Sequence, residues 1–190
     1  EDPEGIPAEQ LSLVRNLALF TLSLGLFEVL IAIGEVPKLL TSHSFGEYAA
    51  FVATGILSFE EMFKVVAERQ KICPVPRSLG SMIAVSSDAE SLRKVSGIDE
   101  RYFANFNSPQ QTVLSVPADK VKDLSSLLKK SRISSKVLES VPQPYHSFLM
   151  QESARKLESF LVASKFSFRP PRIPVISSVT GEVLTPENFT

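Results

Sequence analysis

Thr41-Ser42-His43-Ser44-Phe45-Gly46-Glu47-Tyr48 follows the short apolar run Lys38-Leu39-Leu40 and leads into Ala49-Ala50-Phe51-Val52-Ala53. The order is strand, tight turn, helix, with a serine at the turn. A serine on a sharp strand-to-helix turn has its hydroxyl pushed out of the sheet, and N–H groups at the new helix's N-terminus can stabilise an oxyanion. Ser44 is therefore a candidate nucleophile. The pattern G-x-S-x-G is met by Gly46 on one side and by a small residue, Ser42, on the other. A plainer reading makes Ser42 and Ser44 simple helix caps.

Four further stretches extend the pattern: Gly55-Ile56-Leu57-Ser58, Ala67-Glu68-Arg69, Ala104-Asn105-Phe106-Asn107-Ser108-Pro109-Gln110-Gln111-Thr112-Val113, and Pro144-Tyr145-His146-Ser147-Phe148-Leu149-Met150. Together with the serine turn, and in this order, they resemble the acyltransferase domain of fatty acid and polyketide synthases, the malonyl-CoA:acyl carrier protein transacylase family. The resemblance covers nearly the whole chain.

Composition sets the bounds. The chain has 190 residues, 44% of them hydrophobic, enough to fill a core in one domain with a subdomain. Twenty basic residues against 21 acidic ones, a net charge of −1, give no electrostatic hold on nucleic acid or anionic lipid. One cysteine, Cys73, rules out an internal disulfide and a Cys-based metal cage, so no metal is expected. With no signal-like N-terminus, a reduced cytoplasmic setting is expected. Leu17 to Ile33 is very apolar but interrupted by Glu28, which reads as a helix covered on several sides and not as a membrane span.

Along the chain, Glu1 to Glu9 read as irregular, Leu11 to Ile33 as helix, and Gly34 and Pro37 as its stop. Ser58-Phe59-Glu60-Glu61 has the spacing of a capping box, which starts a helix from Phe59 to about Lys71. Its inward stripe is Met62, Val65, Val66 and then Arg69. A buried guanidinium needs a carboxylate or a polar cavity; near a helix end it can also reach out to water. Pro74 and Pro76 close this segment. Strand Met82–Val85, helix Asp88–Val95, strands Tyr102–Phe106 and Gln111–Val116, helix Pro117–Lys130 and strand Ile133–Leu138 follow in the order βαββαβ, a ferredoxin-like unit. A helix from Phe148 to Val162, with Leu149, Ala154, Leu157, Phe160 and Leu161 inward, precedes a strand at Ile173–Ser177 expected to be parallel in the main sheet. The expected fold is α/β: an α/β-hydrolase-like core with a parallel sheet at 1–79 and 141–190, and a ferredoxin-like subdomain at 80–140.

A serine needs a base within reach, and the chain holds only His43 and His146. Neighbouring strand residues point to opposite sides, so His43 reads as structural beneath the turn, beside Gly46. His146, on a loop between prolines and a helix, can be aimed into a cleft, and it matches the family's catalytic histidine. The resemblance further implies that Arg69 pairs with the free carboxylate of a malonyl group, and that bulky Phe45 and Tyr145 disfavour an α-branched acyl chain. It implies malonyl-CoA and a carrier-protein phosphopantetheine as substrates, no bound cofactor, and an acyl carrier protein plus other synthase domains as partners. The family orients its histidine with a backbone carbonyl from a later segment and completes its oxyanion hole with a Gly-Gln-Gly loop from an earlier one. Neither has a counterpart here, so an excerpt of a larger domain is expected; one lost oxyanion donor costs about 2.7–4 kcal/mol. Two other readings are a serine hydrolase or thioesterase, which needs no Arg69, and a non-catalytic scaffold piece of a synthase.

Overall fold

The computed structural model describes residues 7–73, 79–141 and 143–189. They form two compact units. One joins the residues through Ile72 to those from Leu157 onward, and the other is the contiguous stretch Cys73–Lys156. The expected divisions at 79/80 and 140/141 differ from these. The loop bearing His146 goes with the smaller unit because Ser115 Oγ donates a hydrogen bond to the Tyr145 carbonyl at 2.5 Å. Pro74 and Pro76 lie outside the described residues.

The larger unit opens with α1 (Ala8–Ala32), which starts earlier than expected. It packs through Phe20 and Leu24, and the Phe20 ring stacks on Phe59 at 5.5 Å. The expectation that neighbours cover α1 on several sides does not hold among the described residues. Leu22 and Leu26 are each 66% exposed, and Val29 and Ile33 lie equally open. The helix is long enough and, at a mean hydropathy of 1.6, apolar enough to cross a membrane, with 11% of that window buried. An all-round apolar sequence reports the lack of a polar face; it does not report how many neighbours a helix has.

Next come β1 (Leu40–Thr41), α2 (Gly46–Ala53) and α3 (Phe59–Ile72). The capping box at the start of α3 is closed both ways: Ser58 N–H donates to Glu61 at 2.9 Å and Glu61 N–H to Ser58 Oγ at 3.2 Å. Met62, Val65 and Val66 are buried as the periodicity requires. So is Gln70, which continues the stripe at i+4 and binds α1: it donates to Ser12 Oγ at 3.0 Å and accepts from Asn16 at 2.6 Å. Two buried-side polar bonds thus fix the register of α1 on α3.

At the far end of the chain, α6 (Gln151–Ser164) precedes β6 (Val175–Ile176) and β7 (Val183–Leu184). β6 is parallel, as expected, and pairs with β1, Leu40 opposite Val175, while β7 adds antiparallel to give the order β1-β6-β7. In α6, Leu157, Phe160 and Leu161 pack on the core only half-buried, while Ala154 is exposed and not inward as expected.

Glu61 also accepts the Ser167 N–H at 3.1 Å, joining the unit's two segments. Its carboxyl is held below the ordinary glutamate value, first by the Ser58 N–H and then by the Ser167 N–H. A depressed folded-state value means stability that is fully present above the unfolded value, about 4.3, and lost as pH falls through the folded one. Glu61→Ala should cost about 0.5–2 kcal/mol at neutral pH, the usual worth of a cap. In urea titrations the gap between wild type and variant should close below about pH 4; a gap independent of pH would show that the carboxylate charge is not what these N–H groups hold.

In the smaller unit, β2 (Gly80–Val85), β3 (Phe103–Ser108), β4 (Gln111–Pro117) and β5 (Ser135–Val137) form one antiparallel sheet in the order β3-β4-β2-β5. Helices α4 (Ala89–Arg93) and α5 (Val121–Lys130) connect the strands. Asp88 caps α4 by accepting the Ser91 N–H at 2.8 Å. Leu92 of α4 and Leu124 and Leu128 of α5 meet Ile83, Val85, Leu114 and Val116 in a closed core. Each element expected here is present, with ends moved by a few residues.

Candidate active site

The turn at 41–48 is built within the larger unit. β1 ends at Thr41, Gly46 N–H donates to the His43 carbonyl at 2.9 Å, and Glu47 N–H donates to the Ser44 carbonyl at 3.1 Å. Ser44 takes φ = 50°, a left-handed backbone that a side chain resists. Four described non-glycine residues have positive φ: Ser44, Arg132, His146 and Lys165. Arg132 and Lys165 stand just past the ends of α5 and α6, where a left-handed residue is the ordinary way to finish a helix. Ser44 and His146 stand at no helix end, and they are the two residues singled out from sequence as nucleophile and base.

A Cβ placed on Gly46 would meet the Ser42 Cβ at 3.5 Å, ordinary contact, so the backbone approach is loose enough for serine to stand where the G-x-S-x-G pattern has glycine. The Ser42 hydroxyl is buried with no hydrogen-bond partner among the described residues. His43 departs from expectation. It is exposed and not buried beneath the turn, because β1 ends at Thr41 and strand alternation no longer governs position 43. Glu47, which the sequence reading passed over, accepts the Ser178 N–H at 2.9 Å and so ties the start of α2 to the loop after β6.

Arg69 lies half-buried in the last turn of α3. Its guanidinium carbon is 5.6 Å from the Phe45 ring centre and 5.9 Å from that of Tyr48. The two rings meet edge to face at 5.2 Å. The fold thus brings Arg69 onto the residue directly after Ser44. Tyr48 was missed from sequence, although its i, i+3 spacing from Phe45 puts both rings on one side of α2. An apolar groove of about 440 Å³ in the same unit is lined by Phe63, Ala67, Phe160 and Phe166 and does not include these residues.

His146 belongs to the smaller unit, exposed, with φ = 57°. Its loop is pinned on both sides. Besides the bond from Ser115, Tyr145 N–H donates to the Gln143 carbonyl at 2.9 Å, and Ser147 Oγ donates to the Pro144 carbonyl at 2.6 Å. Tyr145 is half-buried beside it. Among the described residues no group of three or more His, Cys, Asp or Glu side chains is placed to hold a metal ion.

The sequence model of a family described as acyl transferase domain matches residues 11–190. The malonyl CoA-acyl carrier protein transacylase of Bacillus subtilis is 36% identical over 188 residues, covering 94% of this chain and 59% of that protein. The crystal structure of FabD from Acinetobacter baumannii superposes with a TM-score of 0.79 at 30% identity, covering 90% of this chain and 57% of that one. A malonyl-transacylase solved in complex with a type II polyketide synthase acyl-carrier protein gives 0.78 at 28% identity, with 90% and 57% covered. The chain spans about three fifths of the length of these relatives.

Proposed function

The chain belongs to the acyl transferase domain family, and on that premise we propose that it carries the acyl-transfer chemistry of a malonyl-CoA:acyl carrier protein transacylase. Ser44 Oγ attacks the thioester carbonyl of malonyl-CoA while His146 takes its proton. The tetrahedral oxyanion is met by the N–H of Phe45, the residue after the nucleophile at the start of α2. Collapse expels the coenzyme A thiolate, which receives the proton, and leaves a malonyl ester on Ser44. The phosphopantetheine thiol of a carrier protein then repeats the steps in reverse order of leaving group, and Ser44 is regenerated. No cofactor enters. Relatives named as transacylases, one of them solved with its carrier protein, support the choice of donor and acceptor. The strand order β3-β4-β2-β5 supports reading the smaller unit as a ferredoxin-like insertion, and the turn between β1 and α2 supports a hydrolase-like core.

The observation that carries the substrate class is the placement of Arg69 beside the turn. A planar guanidinium matches a carboxylate through two parallel hydrogen bonds, and neither a hydrolase nor a scaffold has a use for it there. Charge-assisted bonds of about 1.5–3 kcal/mol each predict that Arg69→Ala lowers kcat/KM for malonyl-CoA by at least ~10-fold. Acetyl-CoA has no carboxylate to lose, so its transfer should hold or improve. Steady-state kinetics with both thioesters in the full-length protein decide this; equal loss with both would make Arg69 structural and remove the dicarboxylic substrate. The bulk of Phe45 and of Tyr145, taken with the family resemblance, favours an unbranched malonyl group over an α-branched one.

A further inference from the structure

We propose that Ser115 is a positioning residue for His146, an inference that rests on His146 being the base in the reading above. The residues concerned all lie within the smaller unit. β4 is an inner strand of its sheet, and Leu114 and Val116, the neighbours of Ser115, enter the closed core shared with α4 and α5. Strand alternation turns Ser115 to the opposite face, where it is 0% exposed. Serine is a poor choice for such a place: a β-branched residue suits an inner strand better, and a buried hydroxyl costs stability unless it finds an acceptor. Here the acceptor is the Tyr145 carbonyl, from a loop that follows β5. That carbonyl belongs to the peptide plane joining Tyr145 to His146, and φ of His146 is the rotation that starts from this plane. Pinning the plane therefore fixes one side of the left-handed conformation at His146, φ = 57°. On the other side Met150 N–H donates to the Ser147 carbonyl at 3.0 Å, and the Arg101 guanidinium carbon lies 5.1 Å from the Phe148 ring centre. Arg101 is held in turn by Asp99, Nη2 to Oδ2 at 2.6 Å. His146 thus stands between two anchored segments, and the direction in which its imidazole leaves the chain is referred to the sheet. A general base contributes most when its place is set before the substrate arrives.

The test is single-turnover acylation by malonyl-CoA in full-length wild type, Ser115→Ala, His146→Ala and the double variant, with melting temperatures to verify that each is folded at the assay temperature. Ser115→Ala should lower the rate at saturating malonyl-CoA by about 2- to 10-fold, the net worth of one hydrogen bond. The concentration giving half the maximal rate should not move. On the His146→Ala background the same substitution should cost nothing further, because a positioning effect vanishes with the group it positions. If Ser115→Ala does not fold, Ser115→Cys keeps the volume with only a weak donor and is read the same way, alone and with His146→Ala. An equal loss of rate with and without His146 overturns the proposal and makes Ser115 structural. A wild-type rate in Ser115→Ala overturns it too, and leaves His146 standing as the base. A wild-type rate in His146→Ala removes the base itself, and with it anything for Ser115 to position.

Discussion

Alanine at position 44 abolishes covalent capture of the malonyl group. Mixed with malonyl-CoA and no acceptor, the full-length wild-type protein gains the mass of one malonyl group, and Ser44→Ala gains none. The expectation follows from the backbone before it follows from chemistry. Ser44 is held at φ = 50°, a conformation that costs of the order of 1–3 kcal/mol and persists only where the surroundings over-determine it. Those surroundings are the parallel pairing of β1 with β6, the hydrogen bonds that start α2, and the Glu47 tie to Ser178. Together they fix the backbone that carries the Ser44 hydroxyl. Ser42 sits two residues earlier with its hydroxyl buried, and Ser147 has its hydroxyl committed to the Pro144 carbonyl. Peptide mapping that found the malonyl ester on either of these would overturn the assignment of Ser44.

Replacing His146 with alanine should slow acylation of Ser44 by about 10²–10⁴-fold, the range over which a positioned general base contributes. The comparison with His43 makes the expectation discriminating. His43 adjoins the serine in sequence but is exposed in the turn after β1. His43→Ala should therefore leave most of the rate, and any loss should fall on the melting temperature. Single-turnover acylation rates and melting curves of the two variants give both quantities. A rate lost at His43 and kept at His146 would reverse the assignment. The His146 loop stores backbone strain of the same kind as Ser44 and is braced through Ser115 and Ser147.

Much of this was legible in the sequence, and the parts that were not share a cause. The capping box at Ser58–Glu61, the stripe Met62-Val65-Val66 and the βαββαβ order of the smaller unit are local signals, and each led to the elements observed. The strand after Pro174 was also expected to be parallel in the main sheet, and it pairs in parallel with β1; which strand it would meet was not legible. Burial was harder to read. Many apolar residues of α1, Leu22 and Leu26 among them, and Ala154 of α6 were taken as inward, yet they stand exposed, since periodicity tells which residues share a face and not whether anything covers it. Gln70, Glu47 and Tyr48 escaped notice for the opposite reason: each acts through a partner on another segment, Ser12 and Asn16, Ser178, and Arg69 respectively. The exposure of His43 follows from β1 ending at Thr41, which no residue near it announces.

The split of the larger unit between two ends of the sequence has a consequence for the order of events during synthesis. Residues Cys73–Lys156 are contiguous, and their sheet can close as soon as β5 is made. The larger unit must wait for Val175 to meet Leu40, and for Ser167 to meet Glu61. At about 5–20 residues per second, the ribosome finishes the small unit seconds before β6 emerges. Through that interval the strand leading to Ser44 has no neighbour and α1 lies uncovered, the state most open to capture by a chaperone. The serine turn is thus set only after the small unit, so a nascent chain stalled between β5 and β6 holds a folded small unit and no nucleophile.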